Sequence, residues 1–345
     1  MAQLKPVLIL GPTAGSKSDL AVDLAQRLAT GGEVVGADAF QVYRHLDAGT
    51  AKPDRTLRSR VPHHLIDIVE PTERFTVHQW LERAHQAIKD IQSRGRRPII
   101  VGGTNLYMKA LLDGMFDGPG QDPVFRASLD PIQTPALHLR LRGVDRDSAE
   151  RLKPADRKRI VRALEVFELT GTPISALQTQ WEGEASQGID ADLIGLRWES
   201  ETINARINLR VKAMFYPDKV DPDIAQAVCI NGESLIDEVA RLKAEGLFQP
   251  VHVDGEQGEA PGTSPNQARE ALGYKQILAW MDGTDERLVS IEQVFERTKV
   301  LTRRFAKQQR TWLKRFTGTR WIDGGRYTAS RDETLEELVE AFSDA

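Results

Sequence analysis

The chain has 345 residues, 40% of them hydrophobic and 28% charged, a formal net charge of −4 and a single cysteine, Cys229. This is the composition of a soluble globular protein with room for about two domains at roughly 150 residues each. It excludes an internal disulfide and a cysteine-built zinc centre, and no apolar run reaches the roughly 18 residues of a membrane span. The N-terminus runs straight into a first strand with no signal-peptide pattern, so a cytoplasmic protein is expected.

Val7 to Leu10 is a run of four apolar residues that predicts a short buried strand. Gly11-Pro12-Thr13-Ala14-Gly15-Ser16 cannot extend it, and after Lys17-Ser18 the apolar residues return at helical spacing. A strand, tight loop and helix in that order present backbone N–H groups at the positive end of a helix, a nest for phosphate or diphosphate. Lys17 adds a point charge, and the Ser18 hydroxyl is the expected protein ligand for a bridging Mg²⁺. The phosphate-loop pattern G-x-x-x-x-G-K-[ST] is missed by one place: Ser16 stands where the second glycine belongs and the glycine lies at Gly15. A β-carbon at that point is expected to crowd the turn or the ligand. The plainer reading is an ordinary turn with a solvated lysine.

A second strand over Glu33 to Asp38 ends on a carboxylate. Ligands of open parallel sheets collect at the C-terminal ends of strands, so Asp38 is expected to face the same crevice as Lys17. The alternative is a turn or helix N-cap aspartate. Thr76 predicts the cap of a helix running through Trp80, Ala84, Ala87, Ile88 and Ile91 to Gly95. The strand Pro98 to Val101 then closes in Gly102-Gly103-Thr104, with no acidic residue of the sort that organises Mg²⁺ in an ATPase.

Gly118, Pro119, Gly120 and Pro123 mark a hinge. Beyond it the strand–helix alternation lapses into helical segments at Pro135 to Leu141, Ser148 to Leu152 and Asp156 to Thr170, the last capped by Gly171. The basic residues from Arg140 to Arg162 offer a face for a polyanion, or merely a solvated surface. Asp192 to Leu196 reads as a return strand, and Arg206 and Arg210 share one face of the next helix at i, i+4. Tyr216 to Ser234 and Gly255 to Pro265 have loop composition. The long helical stretch Asp285 to Phe316 is expected to pack Phe305, Trp312 and Phe316 on its core side. The fold class is therefore α/β: a phosphate-loop parallel sheet flanked by helices, with a mainly helical insertion. The expected domains are a core of residues 1–117 and 192–330, an insertion of residues 118–191, and an acidic helix or tail over residues 331–345.

Seven segments in this order resemble the tRNA dimethylallyltransferases: GPTAGSKS at Gly11, DAFQVY at Asp38, DAGTAKP at Asp47, VGGTNLY at Val101, RIVRALEVFELTG at Arg159, GYKQI at Gly273 and TRRFAKQQRTW at Thr302. The resemblance implies transfer of a dimethylallyl group from dimethylallyl diphosphate to N6 of adenine 37 of tRNA, assisted by Mg²⁺, by a protein acting as a monomer. It implies Asp38 as general base and Thr104 as the group that orients the amine or the reacting phosphate. The diphosphate falls to Gly11, Pro12, Thr13, Ala14, Gly15, Ser16, Lys17, Ser18 and Arg210. Contact with tRNA falls to Asp38, Ala39, Phe40, Gln41, Thr104, Arg126, Lys158, Arg159, Ile160, Val161 and Arg162. The chain departs from the family pattern at Gly15-Ser16, where Ser-Gly is usual, at Ala39, where serine is usual, and in a longer, more irregular interval from Tyr216 to Asn266. Two rival readings share these motifs: a small-molecule kinase of the nucleotide-kinase type, and a tRNA-binding protein whose altered loop has lost catalysis.

Overall fold

Short apolar runs between glycine-rich turns build the sheet. The computed structural model describes residues 4–115, 118–178, 188–249, 251–253, 262–264 and 266–343. The chain divides into two units: residues 1–109, 190–251 and 264–345, and residues 110–189 with 252–263.

The larger unit begins with β1 (Val7–Leu10), α1 (Lys17–Arg27), β2 (Gly32–Gly36), α2 (Arg55–Arg60), β3 (His63–His64), α3 (Val77–Ser93) and β4 (Arg97–Val101). Thr76 caps α3 in a reciprocal capping box with Gln79, and Trp80, Leu81, Ala84, Ala87, Ile88 and Ile91 form its buried stripe. Helix α4 (Asn105–Asp113) leads into the second unit, which holds α5 (Pro123–Leu129), α6 (Thr134–Val144), α7 (Arg146–Arg151), α8 (Arg157–Thr170) and α9 (Ile174–Gln178). These helices close on their own core of Leu129, Leu137, Leu141, Ala149, Ile160, Ala163 and Leu164.

The chain returns through β5 (Asp192–Arg197), α10 (Ser200–Phe215), α11 (Pro222–Val228) and α12 (Leu235–Ala244). A separate two-stranded sheet, β6 (Val251–Val253) with β7 (Gly262–Ser264), follows. The last elements are α13 (Tyr274–Met281), α14 (Ile291–Leu313), β8 (Arg320–Asp323), α15 (Gly324–Ala329) and α16 (Arg331–Ser343).

Six strands form one parallel sheet in the order β3-β2-β4-β1-β5-β8, with Val7 opposite Ile99 on one side and Asp192 on the other. Strand β1 is at most 1% exposed along its length, as a strand covered on both faces requires. With β1 between β4 and β5, the loops after β1, β2 and β4 gather at one end of the sheet, where open α/β sheets bind ligands.

Three elements depart from the sequence reading. Helix α5 starts in the Gly/Pro hinge and α11 in the stretch read as loop, because Asp122-Pro123 and Asp221-Pro222 act as N-cap and first helical residue. Edge strand β8 is Arg-Trp-Ile-Asp, half-exposed, and its apolar pair is too short to announce a strand. Acidic helix α16 is held on α1: Arg331 and the Tyr327 hydroxyl both donate to Asp23, and Arg27 pairs with Asp332. The loop expected over Gly255 to Pro265 lies mostly outside the described residues.

Candidate active site

The loop after β1 turns sharply at Ala14 and Ser16, both at φ +59°. Gly15 between them has no room for a side chain, since a β-carbon there would stand 2.8 Å from the Pro12 carbonyl oxygen. Ser16 is thus the N-cap residue of α1 in a left-handed conformation, and its side chain makes no capping hydrogen bond. The amides of the first turn of α1 are left facing outward at the positive helix end, which is the arrangement that receives an anion. The Ser16 hydroxyl is engaged instead by Arg206, whose Nη2 donates to it at 2.7 Å while Nε donates to the Ala14 carbonyl at 2.9 Å. The guanidinium lies over the Trp198 ring, 4.6 Å from its centroid, and Trp198 Nε1 donates to the Gly15 carbonyl at 3.2 Å. The β-carbon at Ser16 therefore does not close the turn; the serine is accommodated by an arginine.

Three cations converge here. Lys17 is buried, its Nζ donating to the Pro12 carbonyl at 2.8 Å, and Arg210 Nη1 donates to the Thr13 hydroxyl at 3.3 Å. Burial, then repulsion by Arg210, pushes the Lys17 ammonium down to about 8, and burial pushes Arg210 down to about 10. In both cases Asp38 pulls the other way, stabilising the cation. Ser16→Gly is expected to free Arg206 for phosphate and tighten diphosphate binding by about threefold to tenfold, on the order of 1 kcal/mol. Titration with inorganic pyrophosphate measures this; an unchanged dissociation constant would show that Arg206 stays on the loop.

Asp38 follows β2 and is half-buried. Its Oδ1 accepts from the Phe40 and Gln41 amides at 3.0 and 3.4 Å, and its Oδ2 from the Gly103 amide at 3.3 Å. The N-cap-like reading of this aspartate is thus part of the answer: the turn fixes the carboxylate, and each oxygen retains accepting capacity for a substrate N–H. The Gly-Gly after β4 makes this possible. A β-carbon on Gly102 would sit 2.0 Å from the Ala37 carbonyl oxygen, and one on Gly103 would sit 2.8 Å from Asp38 Oδ2. Thr104 accepts from the Ala39 amide at 2.9 Å through Oγ1, so its own hydroxyl hydrogen stays free to donate. Beneath these turns Tyr107 stacks on Trp80, ring centroids 4.6 Å apart, and Trp80 Nε1 donates to the Gly36 carbonyl at 2.9 Å.

Gln41 donates through Nε2 to the carbonyls of Thr50 and Ala51, tying the site to the DAGTAKP loop. That loop is itself an ion cluster: Lys52, 1% exposed, reaches Asp47, Asp67 and the Tyr43 carbonyl. Buried Glu238 accepts from the Asp47 and Ala48 amides and from the Tyr274 hydroxyl, and burial pushes it up to about 7. The motifs DAGTAKP and GYKQI are therefore structural partners rather than separate sites.

In the second unit, Arg126 and Arg162 both pair with fully buried Glu165, and Arg162 also donates to the carbonyls of Pro119 and Gly120. Ile160 is in the core, so this residue supports α8 from inside. Lys158 and Arg159 are exposed, Arg159 pairing with Asp156, and Val161 is half-buried. On α14 the core face is Val294, Thr298, Ala306, Gln309 and Leu313. Phe305, expected in the core, is 37% exposed although its helical position falls between those of buried Val294 and Thr298. Phe316 is buried, and Trp312 is half-buried under the Arg315 guanidinium.

Fold and site together define a phosphate-loop α/β protein in which three cations at the loop after β1 and a hydrogen-bonded carboxylate after β2 lie at the same end of one sheet. The family model described as IPP transferase matches residues 41–316, and the chain belongs to that family. It is 40% identical, over 99% of its length and 98% of the relative's, to the tRNA dimethylallyltransferase of Geobacter sulfurreducens. Among solved structures it is similar to the full-length tRNA isopentenylpyrophosphate transferase from Bacillus halodurans, at TM-score 0.62 and 30% identity over 99% of this chain and 98% of that one. A eukaryotic dimethylallyltransferase acting on tRNA shares the fold at TM-score 0.70 and 24% identity, over 97% of this chain and 84% of that one.

Proposed function

We propose that the chain transfers the dimethylallyl group of dimethylallyl diphosphate to N6 of adenine 37 beside the tRNA anticodon. One observation supports this reading above the others: Gln309 hydrogen-bonds both the Thr13 amide of the loop after β1 and the Gly103 carbonyl, and the Gly103 amide donates to Asp38, so the carboxylate and the cationic loop serve one crevice. When the bond from the allylic carbon to the diphosphate oxygen breaks, negative charge grows on the leaving group. Lys17, Arg210 and the first-turn amides of α1 are already in place to stabilise it. As N6 bonds to the allylic carbon it becomes acidic, and Asp38 takes the proton. Thr104, with its hydroxyl hydrogen free, orients the amine or a phosphate oxygen. The adenine leaves its stack to reach the crevice, at a cost of a few kcal/mol that contacts to neighbouring nucleotides offset.

The donor set fits a Mg²⁺ ion: Ser18, whose hydroxyl is a hard oxygen at the start of α1, would hold it together with water and substrate phosphate oxygens. When bound it adds charge neutralisation at the leaving diphosphate. The tRNA is held by the exposed basic residues Lys158 and Arg159 of α8. Arg126 and Arg162 shape the surface beside Lys158 through Glu165. Incubation with dimethylallyl diphosphate, Mg²⁺ and unmodified tRNA should give an adenosine heavier by one dimethylallyl unit in the nucleoside digest. Phosphoryl transfer from ATP to a small acceptor, with no prenylated nucleoside, would overturn the reading.

A further inference from the structure

Gln309 lies on the inward face of α14 and is 3% exposed. Its Oε1 accepts from the Thr13 amide at 2.8 Å, and its Nε2 donates to the Gly103 carbonyl at 2.8 Å. The first contact grips the phosphate loop. The second grips the residue whose own amide donates to Asp38 Oδ2. Asn105 Nδ2 donates to the Gln309 carbonyl at 3.4 Å, tying this turn of α14 to the start of α4. A buried amide with both ends satisfied, one on each substrate-bearing loop, sets the spacing between them.

We infer that Gln309 is a positioning residue that holds the diphosphate loop and the Asp38 carboxylate in register for prenyl transfer. The inference rests on the reaction proposed above. No other side chain among the described residues hydrogen-bonds to both Thr13–Ser16 and Gly103. The acceptor end preorganises the loop for diphosphate, and the donor end fixes the turn that orients the base. The two ends therefore affect different kinetic constants. Glutamate at this position keeps an acceptor for Thr13 but, ionised, has no hydrogen for Gly103; methionine has neither.

The test measures the Michaelis constant for dimethylallyl diphosphate and the single-turnover rate on tRNA, with thermal unfolding as a check on folding. Gln309→Glu is expected to keep the Michaelis constant within about threefold of wild type and to lower the rate, and Gln309→Met to move both; a misplacement of about 1 Å is enough to cost on the order of 100-fold in rate. In an Asp38→Asn background the rate effect of Gln309→Met should largely vanish while the Michaelis effect persists, since the donor end acts through the base. Full additivity in that background, or both constants of Gln309→Met within threefold of wild type, would overturn the inference. If Gln309→Met fails to fold, a wild-type rate in Gln309→Glu is the overturning result. Absence of prenyl transfer by the wild-type protein would instead refute the proposed reaction.

Discussion

Asp38→Asn is expected to slow single-turnover prenyl transfer by about 100-fold or more, as loss of a general base does, while tRNA binding stays within about threefold. The amide can no longer take a proton from the attacking amine, yet it is nearly isosteric. Its oxygen still accepts from Phe40 and Gln41, and only the long 3.3 Å contact from the Gly103 amide meets a donor where an acceptor stood. That opposition costs about 1 kcal/mol, a shift of a few degrees in unfolding temperature, too small to explain a hundredfold rate loss. Rapid-quench measurement with saturating tRNA and dimethylallyl diphosphate decides it. A wild-type rate in the variant would remove Asp38 from proton transfer and leave it as a turn residue.

The parts of the site legible in the sequence are those that one stretch of chain builds alone. Four apolar residues followed by a Gly/Pro/Gly loop and a lysine specify a strand, a turn and a helix start within a dozen positions, and β1, the loop and α1 follow directly. Asp38 was legible as a strand-end residue because parallel strands place their ends together, and Thr104 only through the family resemblance. What could not be read is what long-range contacts decide. Gln309 meets Thr13 from 296 residues away, and its signal was faint: a polar residue on the same helical period as Val294, Thr298, Ala306 and Leu313. The Gly15-Ser16 order read as a defect because Arg206 and Trp198, which receive it, lie nearly two hundred residues downstream. Arg126 and Arg162 read as free cations because nothing local announces that Glu165 would be buried between them.

Lys17→Met is expected to weaken binding of a non-reactive dimethylallyl diphosphate analogue by about 100-fold or more, on the order of 3 kcal/mol for a charge-assisted contact in a buried setting. The same variant should unfold no earlier than wild type at pH 7. The ammonium is held at about 8, against an ordinary 10.5, chiefly because burial removes it from water. Between those values the unfolded chain binds the extra proton and the folded one does not, so stability rises with pH through that window; below pH 8 the folded protein bears the whole cost of the buried charge, roughly 3 kcal/mol. Methionine removes that cost and forfeits only the 2.8 Å hydrogen bond to the Pro12 carbonyl, about 1 kcal/mol. Diphosphate reverses the balance by supplying the counter-charge, so binding should take up a proton above pH 8, and wild-type affinity should fall by up to about tenfold per pH unit there. Calorimetric titrations in two buffers of different ionisation enthalpy, from pH 7 to 9.5, read the proton uptake directly. The uptake between pH 8 and 9 should largely disappear in Lys17→Met. Equal affinity of the two proteins for the analogue at pH 7 would show that the buried ammonium serves only the loop, and that Arg206 and Arg210 carry the diphosphate without it.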